Sequence, residues 1–191
     1  MLLRLFFIAM LMSSIVMAET ITFNGRTGNI LDLQTNVDLT EGSFTFREIS
    51  GSASFIESNG NLNTASFDDD ILGFNSDGTQ VEFFATSGSF FNALDVRVGA
   101  ISNGDFTFTG FRNGQQVASQ NIAGVSPSNT LVNLAGFTNL DLLLVTAVDN
   151  AVPDGFFLPI IDDLQLQTVP EPTTYIALLL GMVFLIRRSK K

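Results

Sequence analysis

Apolar and polar residues alternate in short runs through the middle of the chain, at the two-residue period of half-buried β-strands. In GSFTFREI, residues 42–49, Phe44 and Phe46 share a face opposite Thr45 and Arg47. In TQVEFFATSG, residues 79–88, Val81, Phe83 and Ala85 share one. In NALDVRVGAI, residues 92–101, the shared face is Leu94, Val96 and Val98. From Asp105 onward, Phe106 and Phe108 alternate with Thr107 and Thr109. Asn113-Gly114 follows, the dipeptide of a two-residue hairpin turn, with Val117 on the return strand. LDLLLVTAV, residues 140–148, is denser in apolar residues and predicts a central strand. Clusters of Gly, Asn, Ser and Asp separate these runs, and no stretch before Pro172 keeps a helical period.

About eight to ten short strands over roughly 150 residues predict an all-β domain, a jelly-roll-like two-sheet β-sandwich. A closed barrel is the alternative. The strands are too irregular for a transmembrane barrel and lack its aromatic girdle. No internal repeat marks a solenoid.

The whole chain has 191 residues, one ordinary domain plus terminal signals. It contains no Cys, His or Trp, which excludes disulfides, thiolate nucleophiles, Cys/His zinc sites and a Ser-His-Asp triad. Charge is unevenly placed. Five of the nine bases lie at the two ends, whereas all nineteen acids lie between Glu19 and Glu171. That stretch holds four bases against its nineteen acids, a net charge of −15. Such a surface repels nucleic-acid phosphates, so no nucleic-acid partner is expected, and it tolerates cations.

The ends read as addresses. In the first twenty residues Arg4 is a positive n-region and Leu5–Met12 an unbroken apolar run that Ile15 and Val16 extend. Val16 and Ala18 then sit at −3 and −1 to a cut before Glu19. This predicts a signal peptide over residues 1–18, cleaved between Ala18 and Glu19, with an uncleaved anchor as the alternative. At the other end Tyr175–Ile186 is an apolar segment of twelve residues. A helix of that length reaches only about 18 Å, against a hydrocarbon core of about 30 Å. Starting near residue 173 lengthens it, and the bases Arg187, Arg188, Lys190 and Lys191 can snorkel. Those four match a stop-transfer segment with a cytoplasmic tail, which predicts one transmembrane helix over about 173–186.

Val169-Pro170-Glu171-Pro172, one span and then Arg187-Arg188, in that order, resembles the tripartite PEP-CTERM sorting signal of Gram-negative bacteria. The resemblance covers residues 169–191, and Pro170, Glu171 and Pro172 carry over directly onto the motif. It implies an exosortase as partner, a membrane-embedded cysteine protease or transpeptidase. It also implies transient anchoring in the inner membrane with the C-terminus in the cytoplasm, then transfer to the cell surface or extracellular matrix. Physically, the two prolines keep the backbone extended and present Glu171 at the membrane surface. Residues 19–168 resemble, more loosely, the β-sandwich ectodomains of PEP-CTERM proteins. The order FTFTGFRNGQQVASQNI, LAGFTNLDLLLVTAV, IIDDLQLQTV carries that likeness, which implies a galactose-binding-like or carbohydrate-binding fold.

Candidate chemistry is sparse. Asp162 and Asp163 open the last strand, and simple alternation places Asp162 on one face with Ile160, Leu164 and Leu166. A carboxylate there needs a partner, either backbone amides at the strand start or a structural calcium ion shared with acids of the first strand or a loop. Asp68, Asp69 and Asp70, followed by Asn75, Asp77 and Gly78, lack the spacing of an EF-hand loop and read as a solvated loop. SNGNLNTAS, residues 58–66, is a polar loop with no specific signature. Glu48, Glu57 and Glu82 are candidates for a glycosidase pair only in being acids.

No catalytic residue and no cofactor beyond that calcium ion is therefore expected. The chain reads as a noncatalytic, exosortase-sorted surface or matrix protein associated with exopolysaccharide. A carbohydrate-binding module, calcium-stabilised or not, is the alternative, and a secreted glycan hydrolase a third reading. Stacking aromatics would favour the alternative, but there is no Trp, the single Tyr lies in the apolar tail, and most Phe fits the core pattern. Glu171→Ala should leave the chain membrane-anchored with its tail attached. Fractionation with a C-terminal epitope checks this, and trimming at the wild-type rate would refute the sorting assignment.

Overall fold

The computed structural model describes residues 18–23, 31–56, 70–100, 104–125, 129–149 and 159–170. The apolar segments 1–17 and 173–186, the basic tail 187–191, Asp68, Asp69 and Glu57 lie outside these residues.

Thirteen strands and no helix are present among the described residues: β1 Ala18–Ile21, β2 Leu31–Asp32, β3 Leu39–Glu41, β4 Phe44–Ser50, β5 Ala53–Ile56, β6 Ile71–Phe74, β7 Gln80–Ala85, β8 Phe91–Ala100, β9 Gly104–Arg112, β10 Gln115–Val125, β11 Thr130–Asn133, β12 Leu142–Asp149 and β13 Pro159–Thr168. They form two antiparallel sheets. Sheet A has the order β11-β8-β13-β6-β5-β2, with β1 also paired to β13. Sheet B has the order β10-β9-β12-β7-β4-β3. The expected two-sheet sandwich is found. The count exceeds the sequence-based one because β1, β2, β3 and β11, at four residues or fewer, are too short to show a period.

Alternation sets the core. Phe44 and Phe46 of β4, Val81, Phe83 and Ala85 of β7, Phe106 and Phe108 of β9 and Leu143, Val145 and Ala147 of β12 all point inward from sheet B and are buried. LDLLLVTAV does supply a central strand, β12, between β7 and β9. Asn113 and Gly114, with φ of 52° and 72°, form the two-residue turn between β9 and β10, the backbone that Asn-Gly adopts most readily.

Rings from opposite sheets meet edge-on. Phe44 and Phe91 lie 5.5 Å apart, Phe74 and Phe106 5.4 Å, and Phe46 and Phe55 5.9 Å, all near perpendicular. Gly110 points inward on β9, where an added Cβ would come within 2.8 Å of Leu140 and 3.1 Å of Phe137. The missing side chain lets the loop between β11 and β12 press Leu134, Phe137 and Leu140 into one end of the core.

Two sequence-based face assignments are corrected by one feature. On β8 the buried residues are Phe91 and Ala93, then Val96 and Val98, with Leu94 half-buried and outside the core cluster. On β13, Ile161, Leu164 and Leu166 join the main core, whereas Ile160 joins a separate cluster with Ile56 and Ile71. Both strands carry a β-bulge. The register runs Asp162↔Arg97, Gln165↔Asp95, Leu166↔Ala93, so an extra residue in β13 is answered at once by one in β8. Each strand turns over by one residue, and the ladder then resumes.

Phe46 packs against Phe23, Phe55 and Phe83, at centroid distances of 5.6, 5.9 and 5.6 Å. Phe46→Ala should therefore cost about 3–5 kcal/mol, measured by denaturant unfolding. A loss below about 1 kcal/mol would contradict this core.

Candidate functional site

The bulge decides the environment of the two candidate metal ligands. Asp162 faces away from the sandwich interior with Ile160, opposite Arg97, and not with Leu164 and Leu166. It is 4% exposed, and its Oδ1 accepts the Asp163 backbone N–H at 2.7 Å. This is the backbone engagement expected for a buried carboxylate at a strand start. Asp163 has φ of +45°, which Asp tolerates better than most residues, and its Oδ2 accepts Arg97 Nε at 2.9 Å. Among the described residues no three acids gather as a metal site.

The other acids are also placed. Glu48 points inward and is buried. Its Oε2 accepts the Ala53 N–H at 2.5 Å and its Oε1 the Thr35 hydroxyl at 2.7 Å, bracing the crossing from β4 in sheet B to β5 in sheet A. Glu82 faces outward and accepts Arg47 Nε at 3.0 Å. Glu48 and Glu82 thus lie on opposite faces of sheet B and cannot flank one glycosidic bond. Asp70 is buried. Asn75 donates through Nδ2 to the Ser52 and Ser54 hydroxyls, at 3.2 and 2.8 Å.

At the N-terminal side, Ala18 pairs with Gln167, and the Glu19 carboxylate accepts the Ser43 N–H at 3.0 and 3.1 Å. Gly42 beside it, with φ of +56°, has no room for a Cβ because Glu19 Oε1 occupies that position. At the C-terminal side β13 ends at Thr168, and the Val169 N–H donates to the Phe90 carbonyl at 2.7 Å. Pro170 is the last described residue, and Glu171 and Pro172 lie outside.

The outer face of sheet B carries what the sequence reading missed. Phe84, between inward Phe83 and Ala85, must face out, and so must Phe111, which follows inward Gly110. Thr45 pairs with Phe84, Leu142 with Phe111, and Gln116 with Phe111, while continuing the Leu143↔Phe83 register brings Leu142 level with Phe84. The result is one cross-strand row, Thr45–Phe84–Leu142–Phe111–Gln116. Its two rings stand two strands apart, about 9.5 Å. Phe84, Leu142 and Phe111 are each half-buried.

The next row is Arg47–Glu82–Leu144–Thr109–Ser119, and beyond it lie Gln80, Thr146, Thr107 and Asn121. Arg47 reaches over Phe84, its Cζ 5.3 Å from the ring centroid, and also pairs with Asp38 at 3.4 Å. The Thr45 and Thr86 hydroxyls are 2.9 Å apart. At the Phe111 end the neighbouring loop is tied down. Arg112 donates to the Asn139 and Thr138 carbonyls at 2.9 and 3.1 Å, and the Asn113 N–H donates to the Asp141 carboxylate. Phe84, Leu142 and Phe111 thus form a part-buried apolar strip with Arg47 over the Phe84 ring and paired to both Glu82 and Asp38, and with Gln116, Thr109 and Ser119 alongside. The available signal was the doublet Phe83-Phe84, since in an alternating strand one of two adjacent rings must face out.

No protein-family model and no curated protein matches this chain. Solved structures do. A family 29 carbohydrate-binding module from Piromyces equi is similar at a TM-score of 0.46 and 10% identity, over 81% of this chain and 92% of that one. TmCBM61, solved with β-1,4-galactotriose, is similar at 0.45 and 10% identity, over 66% and 88%. The CBM51 of Clostridium perfringens GH95, solved with methyl-galactose, is similar at 0.36 and 13% identity, over 78% and 92%. At these scores and identities the likeness assigns neither a ligand nor a site to this chain.

Asp163→Asn keeps a residue that tolerates positive φ and loses only a half-exposed ion pair, at a cost of about 0.2–1 kcal/mol. Asp163→Val adds about 1–2 kcal/mol of backbone strain. Chemical denaturation of the two variants checks the order, and equal losses would remove the bulge from its structural role.

Proposed function

We propose that this chain is an exported, noncatalytic glycan-binding protein. Its jelly-roll-like sandwich presents the Phe84–Leu142–Phe111 row to an extracellular polysaccharide. That row is the single observation that carries the reading. Among the described residues ten Phe are buried in the core and Phe90 is part-buried in the turn before β8, whereas Phe84 and Phe111 stand in line on the outer face of sheet B. Opposed placement of Glu48 and Glu82 supports a binding role over hydrolysis. The net charge of −15 between Glu19 and Glu171 favours a neutral polymer over a polyanion. The sorting assignment is a proposal of the same kind, resting on Val169–Pro172, the apolar tail and its bases. An exosortase acts at that motif, and the released chain stays with the surface polymer it binds.

The test is native affinity electrophoresis of residues 19–168 through gels carrying the producer's own extracellular polysaccharide. Retardation that saturates with polymer is the expected result. Phe84→Ala and Phe111→Ala should each weaken it by roughly 2- to 10-fold, from stacking contacts of about 0.5–1.5 kcal/mol, and together abolish it. Both rings are more buried than exposed, so each substitution also lowers the unfolding midpoint, and circular dichroism should show every variant folded at the temperature of the gel. Retardation unchanged in the double variant would move the site elsewhere, and none with any neutral polysaccharide would end the glycan-binding reading.

A further inference from the structure

Sheet edges differ sharply in length among the described residues. β2 has two residues, β3 three, and β1 and β11 four each. β10 is also an edge, hydrogen-bonded to β9 alone, and it has eleven residues. A row of unpaired backbone N–H and C=O groups is a template for another strand, and edges are normally blunted by brevity, Lys, Pro or bulges. β10 reads QQVASQNIAGV, with no charge and no proline. Its bulges lie between Gln116 and Ala118 and between Ile122 and Val125, so the run Ala118–Ile122 between them is regular. Ser119, Asn121 and Ala123 are exposed, and Val117 is 44% exposed.

Charge selects the occupant. Two copies of a domain with eighteen acids and four bases over residues 19–168, a net charge of −14, repel one another on most approaches. Along β10, which carries no charge, that repulsion is least, and in an antiparallel pair centred on Gln120 the Ser119 side chain of one copy meets Asn121 of the other, where the two can hydrogen-bond. We propose that β10 is a self-association edge. Two copies pair antiparallel about an axis through Ala118–Ile122, joining their six-stranded sheets into one. The pairing brings two Phe84–Leu142–Phe111 rows onto one continuous face, which raises avidity for a polymer without any new contact. It stands independently of the glycan reading.

Because the chain has no cysteine, it can be probed with single thiols. Cysteine is placed in turn at Ala118, Ser119, Gln120, Asn121 and Ile122 of the full chain in its producing cells, with Ser87→Cys as an exposed control. Only a residue on a twofold axis meets its own copy, so disulfide-linked dimer should peak at one of the five positions and fall away on both sides. Adding lysine at both of the nearest outward positions equidistant from the peak residue (Ser119→Lys with Asn121→Lys for a peak at Gln120), a pair that meets across the axis, should cut dimer yield at least about tenfold, since like charges then face each other. No dimer at any position overturns the proposal. So does equal yield at all five and at Ser87, or a yield that the added lysine leaves unchanged.

Discussion

The cohesion of this domain rests on a layer of phenylalanine rings held between two sheets. Ten of its largest fully buried side chains are Phe. With no cysteine in the chain and no group of metal-binding acids among the described residues, packing carries most of the stability. Each buried ring contributes roughly 1.5–3 kcal/mol by area, and edge-to-face pairs such as Phe44–Phe91 and Phe74–Phe106 add about 0.5–1.5 kcal/mol more. These pairs join residues from opposite sheets, so they also fix the sheets in register with one another. The polar braces follow that arrangement. Glu48 ties β4 to β5 where the chain changes sheet, and Glu19 ties the start of β1 to the turn before β4.

The paired bulges of β8 and β13 solve a different problem. β13 must pair with β8 along one side and with two successive neighbours along the other, β6 at Ile160–Ile161 and β1 at Leu164–Gln167. Turning the strand over at Asp163 separates the two halves. Before the turn Ile160 and Asp162 face outward, and after it Leu164 and Leu166 face inward. Asp163 suits the corner because a short polar side chain tolerates positive φ, and Arg97 on the facing strand holds its carboxylate. The aspartate pair is explained by strand geometry before any ion is invoked.

How much was legible follows from the same physics. Strands of five residues or more with strict alternation declared their faces, and Phe44, Phe46, Val81, Phe83, Ala85, Phe106 and Phe108 are buried as the pattern required. The Asn113-Gly114 hairpin was legible because both residues tolerate positive φ. Leu94 and the partners of Asp162 were misassigned because a bulge shifts the period by one without leaving a compositional mark. The outward rings were hidden for another reason. A search for core residues counts every Phe as core, although alternation placed Phe84 and Phe111 outside as firmly as it placed their neighbours inside. Gly110 concealed Phe111 further, by putting an inward position where no side chain shows.

Topology also relates the ring row to the chain ends. Ala18 pairs with Gln167, Thr168 with Phe91, and Val169 with the Phe90 carbonyl, so the first and last described strands begin and finish side by side. β7 ends at Ala85 and crosses to β8 at Phe91, which brings Phe84 to that same end of the sandwich. Phe111 and Leu142, at the end of β9 and the start of β12, lie there too. On the proposed function this proximity orders events. Val169 is hydrogen-bonded to the folded domain, so almost no spacer separates the sandwich from Pro170–Pro172. While the chain is held by its C-terminal segment, the end bearing the rings stays close to the bilayer, where a long polymer has little room. The sorting and glycan-binding proposals taken together then imply that release from the membrane also uncovers the ring-bearing face to the polymer.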